Sequence, residues 1–384
     1  MRRPRDWGQP CPNPDCALFH RMNLGNVSAI STYLTQSGTR RIFRCRACET
    51  TFSQTRETVF FDLRTPEEKV LMALKMLLVR VDLTGIAFVL GVTEESVLEW
   101  LERAAAKAEE INRHLLRDLP VTQVQLDELW NFIRRKHAEQ VDSAGESLPE
   151  GEDGRQWIFV AFAPEHRLMI AAEVGARTLE TTKRVIAATS ERVRGIPAFF
   201  SDGYTCYLTA LIAFYHQVVT FPKTGKRGRP KGPKIVAHEE LVYAQLVKEK
   251  KQGRLHTLST RVLLGAERLA GLGLSISTAL VERVNLTMRQ ALAPLVRKTT
   301  SFCKEREAMR ARVTFFHAFY NFARPHQSLQ TPLPVHLRRR TGAIRPRWRH
   351  RTPAMAAGLT DHVWTFRELL TAKFEPLDSQ SISG

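Results

Sequence analysis

The chain has 384 residues, 43% of them apolar, so it is long enough for one to three domains with a substantial core. Its formal net charge of +18 favours a polyanionic partner, most simply nucleic acid, over a merely soluble basic protein. The sequence has no long apolar run and begins MRRPRDWGQP, so it argues against a membrane protein and predicts a cytoplasmic protein without a signal peptide.

The cysteine pattern predicts a metal site within residues 1–60. Six cysteines in a cytoplasmic chain indicate metal binding or simple burial rather than disulfides. Four of them form two pairs separated by aromatic and β-branched residues, namely Cys11-x4-Cys16 and Cys45-x2-Cys48. Such pairs supply the four thiolates that zinc binds tetrahedrally, so we predict a zinc ribbon that needs structural Zn²⁺ to fold. The alternatives are four buried free thiols, or His20 in place of one cysteine ligand.

Residues 62–117 are predicted to form a helical domain of the helix-turn-helix type. Pro66 opens the first helix, with Thr65 as its N-cap. A short helix, a tight turn and a longer helix follow. Their caps and turn are predicted at Asp82, Gly91 and Thr93.

The last helix of this region has two possible roles. It begins with acidic side chains that repel phosphate, at Glu94, Glu95 and Glu99. Ser96 and Arg103 are the groups on it that suit DNA. The helix is therefore either a DNA-reading helix or a spacer that packs on its neighbours, and the sequence leaves both open.

Residues 120–335 read as alternating strands and helices. Three strands come first, the last two joined by a hairpin at PEH, in the segments VTQVQLDELWNFIRR, RQWIFVAFA and RLMIAAEVG. A helix, a fourth strand, a second helix, a fifth strand at HQVVTF and a late helix follow. This is the order of the ribonuclease H-like fold, so we predict an α/β catalytic domain over 120–335 with an insertion at 222–272.

Three widely spaced carboxylates are candidate metal ligands. Asp127 lies in the first strand, Asp202 just past the fourth strand, and Glu282 on the late helix. Magnesium prefers hard oxygen ligands, and two such ions can activate water or a 3′-hydroxyl against a phosphodiester. Each acid alone is commonly a turn, cap or surface residue. In this order they predict a catalytic triad that binds two Mg²⁺ or Mn²⁺ ions, with Asp127 bridging them.

The helix that carries Glu282 is predicted to have two faces. The apolar stripe consists of Ile276, Leu280, Val284, Met288 and Leu292. Glu282, Asn285 and Arg289 share the opposite face, so Asn285 and Arg289 are predicted to contact DNA near the scissile phosphate. Glu239 is the alternative third ligand, because it follows Asp202 after 36 residues.

Two basic segments are predicted to contact DNA. Residues 222–234 hold six basic residues and no acid, and their centre resembles an AT-hook that places arginines in a narrow minor groove. A solvated loop is the alternative there. Residues 336–384 are predicted to be a basic C-terminal tail, in which Trp348 could stack on a base and the final DSQSISG is disordered. The DNA contacts predicted in the two segments are Arg227, Arg229, Lys231, Arg339, Arg340 and Arg347.

Five motifs together resemble those of the prokaryotic insertion-sequence transposases of the DDE superfamily that carry an N-terminal zinc ribbon. They are CRACETTFSQTRETVFF, LDELW, FSDGY, VERVNLTMRQ and YNFARPHQSL, and the resemblance runs from about Cys11 to Leu337. It implies a ribonuclease H-like core that cuts and joins DNA ends with two divalent metals held by Asp127, Asp202 and Glu282. It also implies zinc ligands at Cys11, Cys16, Cys45 and Cys48. The wide first cysteine pair and the acidic third helix depart from the usual pattern.

These observations together predict a DNA transposase. It would bind the terminal inverted repeats of a transposon and a target DNA, hydrolyse at the ends and join the freed 3′-hydroxyl without a covalent protein–DNA intermediate. Holding two ends together predicts a homo-oligomer, associated with the nucleoid. The alternatives are a DNA-binding regulator with an inert core, and a nuclease of the same fold that cuts without joining. In the last motif, His317, Asn321 and His326 are predicted to be structural rather than catalytic.

Overall fold

The computed structural model describes residues 7–134, 154–221, 232–251, 254–333 and 347–377. In these ranges the chain is mixed α/β, with a small antiparallel sheet, a helical segment and a larger mixed sheet flanked by helices. None of the helices in these ranges combines the length and the apolar character that crossing a membrane requires.

The N-terminal sheet is small and antiparallel. Its strands are β1 (Val27–Thr35), β2 (Gly38–Cys45) and β3 (Thr51–Ser53), in that order across the sheet. Its core consists of Val27, Phe43 and Phe52, with Trp7 packed against them. So few apolar side chains cannot offset the ordering of some fifty residues, and a further source of stability is required.

Three helices follow this sheet. They are α1 (Glu67–Leu77), α2 (Leu83–Leu90) and α3 (Glu94–Leu115). The predicted caps of α2 and α3 are confirmed, because Asp82 accepts a hydrogen bond from the Gly85 N–H at 2.8 Å and Thr93 accepts one from the Ser96 N–H at 3.2 Å. Gly91 ends α2 in the left-handed conformation, with φ of 60°, as the tight turn requires.

The predicted N-cap at Thr65 is wrong. Pro66 is the N-cap of α1 and forms no side-chain hydrogen bond there. Instead, the Glu67 N–H donates to the Ser37 hydroxyl oxygen at 2.8 Å. A side chain from the turn between β1 and β2 therefore satisfies the start of α1, which a local sequence pattern cannot reveal.

Helix α3 packs along much of its length. Nine of its residues are buried, and it lies against the later helix Arg306–Ala318. Arg103, one of its two DNA-compatible groups, donates to the Glu99 carboxylate at 2.6 Å and to the Phe61 carbonyl at 2.6 Å. This packing favours the spacer interpretation for the buried face, and DNA reading by the first turn of α3 stays a prediction.

The described residues between 123 and 264 form eight strands, six of which make up the larger sheet. In chain order, the strands of this region are β4 (Gln123–Ile133), β5 (Gly154–Ala163), β6 (Leu168–Gly175), β7 (Ala198–Ser201), β8 (His216–Val219), β9 (Lys234–Ala237), β10 (Val242–Lys251) and β11 (Arg254–Leu264). The sheet order is β11-β10-β7-β4-β5-β6. Strands β4, β5 and β6 form an antiparallel meander, with the predicted hairpin between β5 and β6, whereas β7 and β10 run parallel to β4.

Helices cover both faces of this sheet. They are α4 (Leu179–Ser190), α5 (Cys206–Phe214), α6 (Ala266–Leu272), α7 (Ala279–Ala291) and α8 (Arg306–Ala318). Alternation along β4 assigns α7 and α4 to opposite faces. Asp127 contacts Asn285 of α7, and the next residue, Glu128, contacts Arg177 just before α4.

The fifth strand of the sheet is β10, not the segment predicted at His216. Strand β8 alternates between exposed and half-buried residues and pairs with β9 in a separate two-stranded sheet. Residues 242–246 are all buried, as a strand covered on both faces requires. The predicted insertion at 222–272 therefore contains two strands of the central sheet.

Buried polar groups join the end of α8 to β6. The Asn321 side chain accepts a hydrogen bond from the Met169 N–H at 3.0 Å and donates to the Met169 carbonyl at 2.8 Å. The His317 Nε2 lies 2.8 Å from the same carbonyl oxygen. Burial, together with the positive charge of Arg192, lowers the pKa of His317 to about 3, so its ring is neutral. These contacts fit the structural role predicted for both residues.

Loss of the hydrogen bonds between Asn321 and Met169 should lower the stability of the fold. We expect Asn321→Ala to lower the free energy of unfolding by about 1–3 kcal/mol, because the Met169 N–H would stay buried without an acceptor. Urea denaturation measures the change. The control is Gln327→Ala, an exposed amide nearby, which should change stability by less than about 0.5 kcal/mol. Equal stability of the two variants would contradict the structural role.

The C-terminal residues 347–377 fold back on the rest of the chain. They contain β13 (Trp348–Arg349), which pairs with β12 (Thr331–Pro332), and helices α9 (Pro353–Ala356) and α10 (Phe366–Thr371). Arg367 of α10 forms an ion pair with Glu67 at the start of α1. The Val59 N–H donates to the Leu370 carbonyl at 3.1 Å. The segment thus ties the α/β region to the residues after the N-terminal sheet.

The prediction of a basic tail over 336–384 does not describe residues 347–377. Counting arginines there overlooked the apolar side chains between them, since Met355, Leu369 and Leu370 are buried. The final DSQSISG lies outside the described residues.

Candidate functional site

Adjacent parallel strands bring Asp127 and Asp202 to the same edge of the sheet. The register pairs Gln125 of β4 with Phe200 of β7, and two further residues along each strand lead to the two acids. Neighbouring strands lie about 4.8 Å apart, so Asp202, just past the end of β7, is level with Asp127 in the middle of β4. The Tyr204 N–H donates to Asp202 Oδ1 at 3.0 Å, which fixes the turn after β7.

Helix α7 brings Glu282 to the same edge. The buried Gln125 side chain accepts a hydrogen bond from the Val281 N–H at 3.0 Å, so the first turn of α7 is docked on β4. Glu282 follows directly, accepts a hydrogen bond from the Thr278 hydroxyl at 2.7 Å and forms an ion pair with Lys248 of β10. Its side chain remains 43% exposed.

The carboxylates are close enough to affect one another's charge. Burial, with the charges of Glu128, Asp202 and Glu282, raises the pKa of Asp127 to about 7. A carboxyl group with this pKa holds its proton until a positive charge arrives or the pH rises. The charges of the other two predicted acids therefore act on the Asp127 carboxyl group.

Asn285 orients Asp127. Its Nδ2 donates to Asp127 Oδ2 at 2.8 Å, and its side chain is buried on the same face of α7 as Val281, Val284 and Met288. The prediction placed Asn285 on the face opposite the apolar stripe, with Glu282 and Arg289, whereas the structure buries it with Val281, Val284 and Met288. The side chain has a partner inside the protein, so its contact with DNA stays a prediction.

Arg289 is also engaged within the chain. Its guanidinium donates to the Leu295 carbonyl at 3.0 Å and to the Trp130 carbonyl at 3.4 Å. These bonds hold the end of α7 against β4 and the following turn. A DNA contact of Arg289 likewise stays a prediction.

Glu239 lies at the other end of the sheet. It is exposed and precedes β10, whose residue Val242 is level with Ala198 at the start of β7. Asp202 lies four residues beyond Ala198, so about 13 Å of strand separates the level of Val242 from Asp202, and Glu239 lies in the turn before Val242. This geometry disfavours Glu239 as a partner of Asp127 and Asp202.

A second charged group, which the sequence motifs did not indicate, lies beside the site. Glu128 follows Asp127 and points to the opposite face, where its almost fully buried carboxylate accepts a hydrogen bond from Arg177 at 2.9 Å. The Arg177 guanidinium lies over the rings of Trp157 and Tyr204, at 4.7 Å and 4.3 Å from their centroids. Burial, with the charge of Asp202, raises the pKa of Glu128. The two adjacent acids in the LDEL motif could have indicated a role for Glu128. The motif gives no indication of its partner, Arg177.

The donor atoms at this edge fit a divalent cation. Asp127, Asp202 and Glu282 offer hard carboxylate oxygens, as Mg²⁺ and Mn²⁺ prefer. The buried Asn285 Oδ1 beside Asp127 has no hydrogen-bond partner among the described residues. A cation would also relieve the repulsion that raises the pKa of Asp127.

The four predicted zinc ligands come together in the N-terminal module. All four cysteine sulfur atoms lie within 4.8 Å of one another. The Leu18 N–H donates to Cys16 Sγ at 3.4 Å, as expected of a metal-binding turn. Contacts with Thr50 lower the pKa of Cys48 to about 6 and favour the thiolate that a metal binds, whereas burial raises the pKa of Cys11. This soft, four-sulfur set fits a structural zinc ion.

His20 is not placed as an alternative ligand. Its Nε2 lies 2.8 Å from the Glu57 carboxylate and its Nδ1 lies 3.0 Å from the Phe374 carbonyl oxygen, so both ring nitrogens have other partners. The two remaining cysteines, Cys206 and Cys303, lie outside the cluster.

Most of the predicted basic DNA contacts lie outside the described residues. These are Arg227, Arg229, Lys231, Arg339 and Arg340. Arg347 is described and exposed, and its carbonyl accepts a hydrogen bond from the Leu333 N–H at 2.9 Å, next to the β12–β13 pair.

Comparison with known proteins adds little to this geometry. No protein-family model matches the sequence, and no curated protein matches it. Similar solved structures include the Mos1 strand transfer complex, with 14% identity over 36% of this chain and 51% of that one and a TM-score of 0.15. The Mos1 mariner paired-end complex with Mn is 16% identical over 37% of this chain and 55% of that one, with a TM-score of 0.16. The chain therefore matches about half the length of these transposases, and TM-scores of this size establish no shared fold or function.

Proposed function

We propose that the chain is a DNA transposase of the DDE type, which cuts transposon ends and joins them to a target in a metal-dependent reaction. The observation that carries this proposal is the strand register that puts Asp127 of β4 level with Asp202 after β7, with α7 docked on β4 just before Glu282. A cluster of hard oxygen ligands on rigid elements suits phosphodiester chemistry. The net charge of +18 supplies the attraction for a polyanionic substrate.

The strand order supports a ribonuclease H-like core. Three antiparallel strands, β4 to β6, are followed by two strands parallel to β4, so that β4 lies centrally between β5 and β7. In this arrangement the first and fourth strands place their acids next to each other, and a late helix adds the third. The pairing of strand order with acid positions favours this fold over an unrelated α/β sheet.

We propose that Asp127, Asp202 and Glu282 hold two Mg²⁺ or Mn²⁺ ions. When bound, such ions lower the pKa of an attacking water or 3′-hydroxyl and neutralise developing charge on the phosphate. Asn285 keeps the Asp127 carboxylate in one orientation. The docking of Val281 on Gln125 fixes the distance of Glu282 from the sheet. Lys248 occupies the Glu282 carboxylate and would have to yield that contact when a cation arrives.

The N-terminal module is proposed to be a zinc ribbon that contacts transposon-end DNA. Its four clustered cysteines support zinc, and the exposed residues Arg44, in β2, and Arg46, in the turn after it, support contact with phosphate. Since two ends must be cut and joined together, we propose a homo-oligomer on DNA, acting in the cytoplasm at the nucleoid.

Two other functions compete with this proposal. A DNA-binding regulator with an inert core would bind the same duplex and would not cleave it. A nuclease of the same fold would cleave and not join. The electrostatic coupling of the acids at Asp127 favours an active core over the regulator.

The choice of third acid gives a direct test. We expect Glu282→Gln to abolish Mg²⁺-dependent strand transfer of a duplex that the wild-type protein cuts and joins, because the site would lose a ligand. Glu239→Gln is the matched control and should keep wild-type transfer, as Glu239 lies at the far end of the sheet. Joined products on a gel measure the reaction. Cleavage without joining by the wild type would support the nuclease. Transfer by Glu282→Gln together with loss of transfer in Glu239→Gln would identify Glu239 as the third ligand.

A further inference from the structure

The β10–β11 pair extends well beyond the sheet as a two-stranded ribbon. Residues 242–245 of β10 pair with β7, which ends at Ser201. From Leu246 onward, the described part of β10 pairs with β11, from Leu246 opposite Thr260 to Lys251 opposite Arg254. Six residues of strand correspond to a projection of about 20 Å.

The ribbon leaves the sheet at the edge that carries the acids. Strand β10 runs parallel to β7, and its Gln245 is level with Ser201, the residue before Asp202. The ribbon therefore leaves the sheet at the level of Asp202. Lys248, near its base, forms the ion pair with Glu282 described above, so the ribbon borders the site directly.

The sequence of the ribbon is basic, and the described side chains of β11 within it are exposed. Residues 248–261 include five lysines and arginines and a single acid, Glu249. Residues 256–261 of β11 are exposed, and Leu258, opposite Lys248, is 55% exposed. Among the residues that the structure describes, β11 is the edge strand of the sheet and forms the outer side of the ribbon.

Two partners suit an exposed ribbon at the edge of the sheet. A second copy of the chain could pair with β11, since edge strands are templates for pairing. Like charges on two such ribbons would repel each other, which disfavours that pairing. A duplex nucleic acid has the opposite charge, and the major groove of B-DNA admits a two-stranded ribbon.

We propose that the β10–β11 ribbon is a DNA-binding arm that lies in the major groove of the duplex whose phosphodiester reaches the acids. This inference rests on the proposed DNA-cutting function and names the element that holds the substrate next to the site. The ribbon base is fixed to the sheet and its far part projects over the substrate. Binding by the arm is mainly electrostatic and therefore depends on salt.

Charge removal on the arm tests the proposal in the full-length protein. Lys250→Ala/Lys251→Ala removes two positive charges from the ribbon and leaves Lys248 and the acids in place. Arg117→Ala/Arg194→Ala is the control, because it removes two charges just before β4 and before β7, at the opposite end of the sheet, where Arg194 is 63% exposed. Fluorescence anisotropy with a labelled duplex of about 30 base pairs, at several salt concentrations, gives the Kd and its salt dependence for each protein.

We expect the ribbon variant to bind more weakly and to reduce the slope of log K against log salt by about two, one for each lost phosphate contact. The control should keep the wild-type slope, and all three proteins should share one melting temperature. Wild-type protein that binds no duplex would overturn the proposed function itself. Wild-type protein that binds, together with a ribbon variant of unchanged slope, would overturn only the arm. A ribbon variant that dissociates a wild-type dimer without changing the slope would assign the ribbon to self-association instead.

Discussion

Asp127→Asn is expected to lower Mg²⁺-dependent cleavage of transposon-end DNA by on the order of a thousandfold or more. The substitution removes a ligand charge from a site that should supply several kcal/mol of transition-state stabilisation, and each 1.4 kcal/mol is about tenfold in rate. Asp202→Asn should behave in the same way. DNA binding should stay close to wild type, because no positive residue changes. Single-turnover cleavage on a gel, with anisotropy in parallel, measures both quantities.

The control for this experiment is Asp118→Asn. Asp118 is an exposed aspartate that precedes the start of β4 and pairs with Arg194. It lies at the end of the strand away from the acids, so its replacement should leave cleavage unchanged. Wild-type cleavage by the Asp127→Asn protein would show that the acids at this edge do not carry the reaction.

The same substitution should change how stability depends on pH in Mg²⁺-free buffer. The pKa of Asp127 is raised to about 7 by burial and by neighbouring acids, above the value of about 3.9 for an unfolded aspartate. The folded state therefore holds the extra proton between these values, so this contribution to stability is complete below pH 4 and is lost as the pH rises to 7. The melting temperature of Asp127→Asn relative to wild type should rise across that window and then stay constant.

Cys45→Ser should remove the metal from the N-terminal module and unfold it. Cys45 is fully buried in the four-sulfur cluster, and zinc contributes about 10–16 kcal/mol to the folding of comparable zinc-finger peptides. The sheet around Phe43 and Phe52 has too small a core to replace that contribution. Zinc content should fall from about one ion per chain to well below one, and limited proteolysis should cut within the first sixty residues.

Cys206→Ser is the matched control for the loss of zinc. Cys206 begins α5 and lies outside the cluster, so this variant should keep its zinc and its resistance to protease. If Cys45→Ser retained a full zinc ion, the four-cysteine site would be ruled out as the zinc site.

The sequence predicted the elements whose causes are local. The caps at Asp82 and Thr93 and the turn at Gly91 depend on a few neighbouring residues, and all three are present. The paired cysteines likewise predicted a cluster, because their spacing reflects a local turn at each pair. The strands that carry Asp127 and Asp202 were read from strong apolar patterns.

The errors arose where distant segments decide the structure. The fifth strand was placed at His216 because the segment there is apolar and follows a helix, yet β10 takes the central position since it can be buried on both faces. Asn285 was predicted to lie opposite the apolar stripe with Glu282 and Arg289, whereas it is buried with that stripe against Asp127, which comes from a strand 158 residues away. The stack of Arg177 on Trp157 joins three elements and has no local signature.

The choice between Glu282 and Glu239 shows what geometry adds to spacing. Both acids follow Asp202 on the chain at intervals that metal-dependent DNA enzymes could use. Strand direction separates them, because β10 runs parallel to β7 and Glu239 precedes its start, whereas α7 carries Glu282 to the end where Asp127 lies.

The central claim is that Asp127, Asp202 and Glu282 form a divalent-metal site. Anomalous diffraction from crystals soaked in saturating Mn²⁺ tests it most directly, because the experiment requires no DNA substrate. We predict at least one strong anomalous peak within about 2.0–2.6 Å of carboxylate oxygens of Asp127 and Asp202, the distance range for hard oxygen ligands. The peak should disappear in the Asp127→Asn protein. Crystals of the wild type that show no manganese at these carboxylates, or show it at Glu239 instead, would contradict the claim.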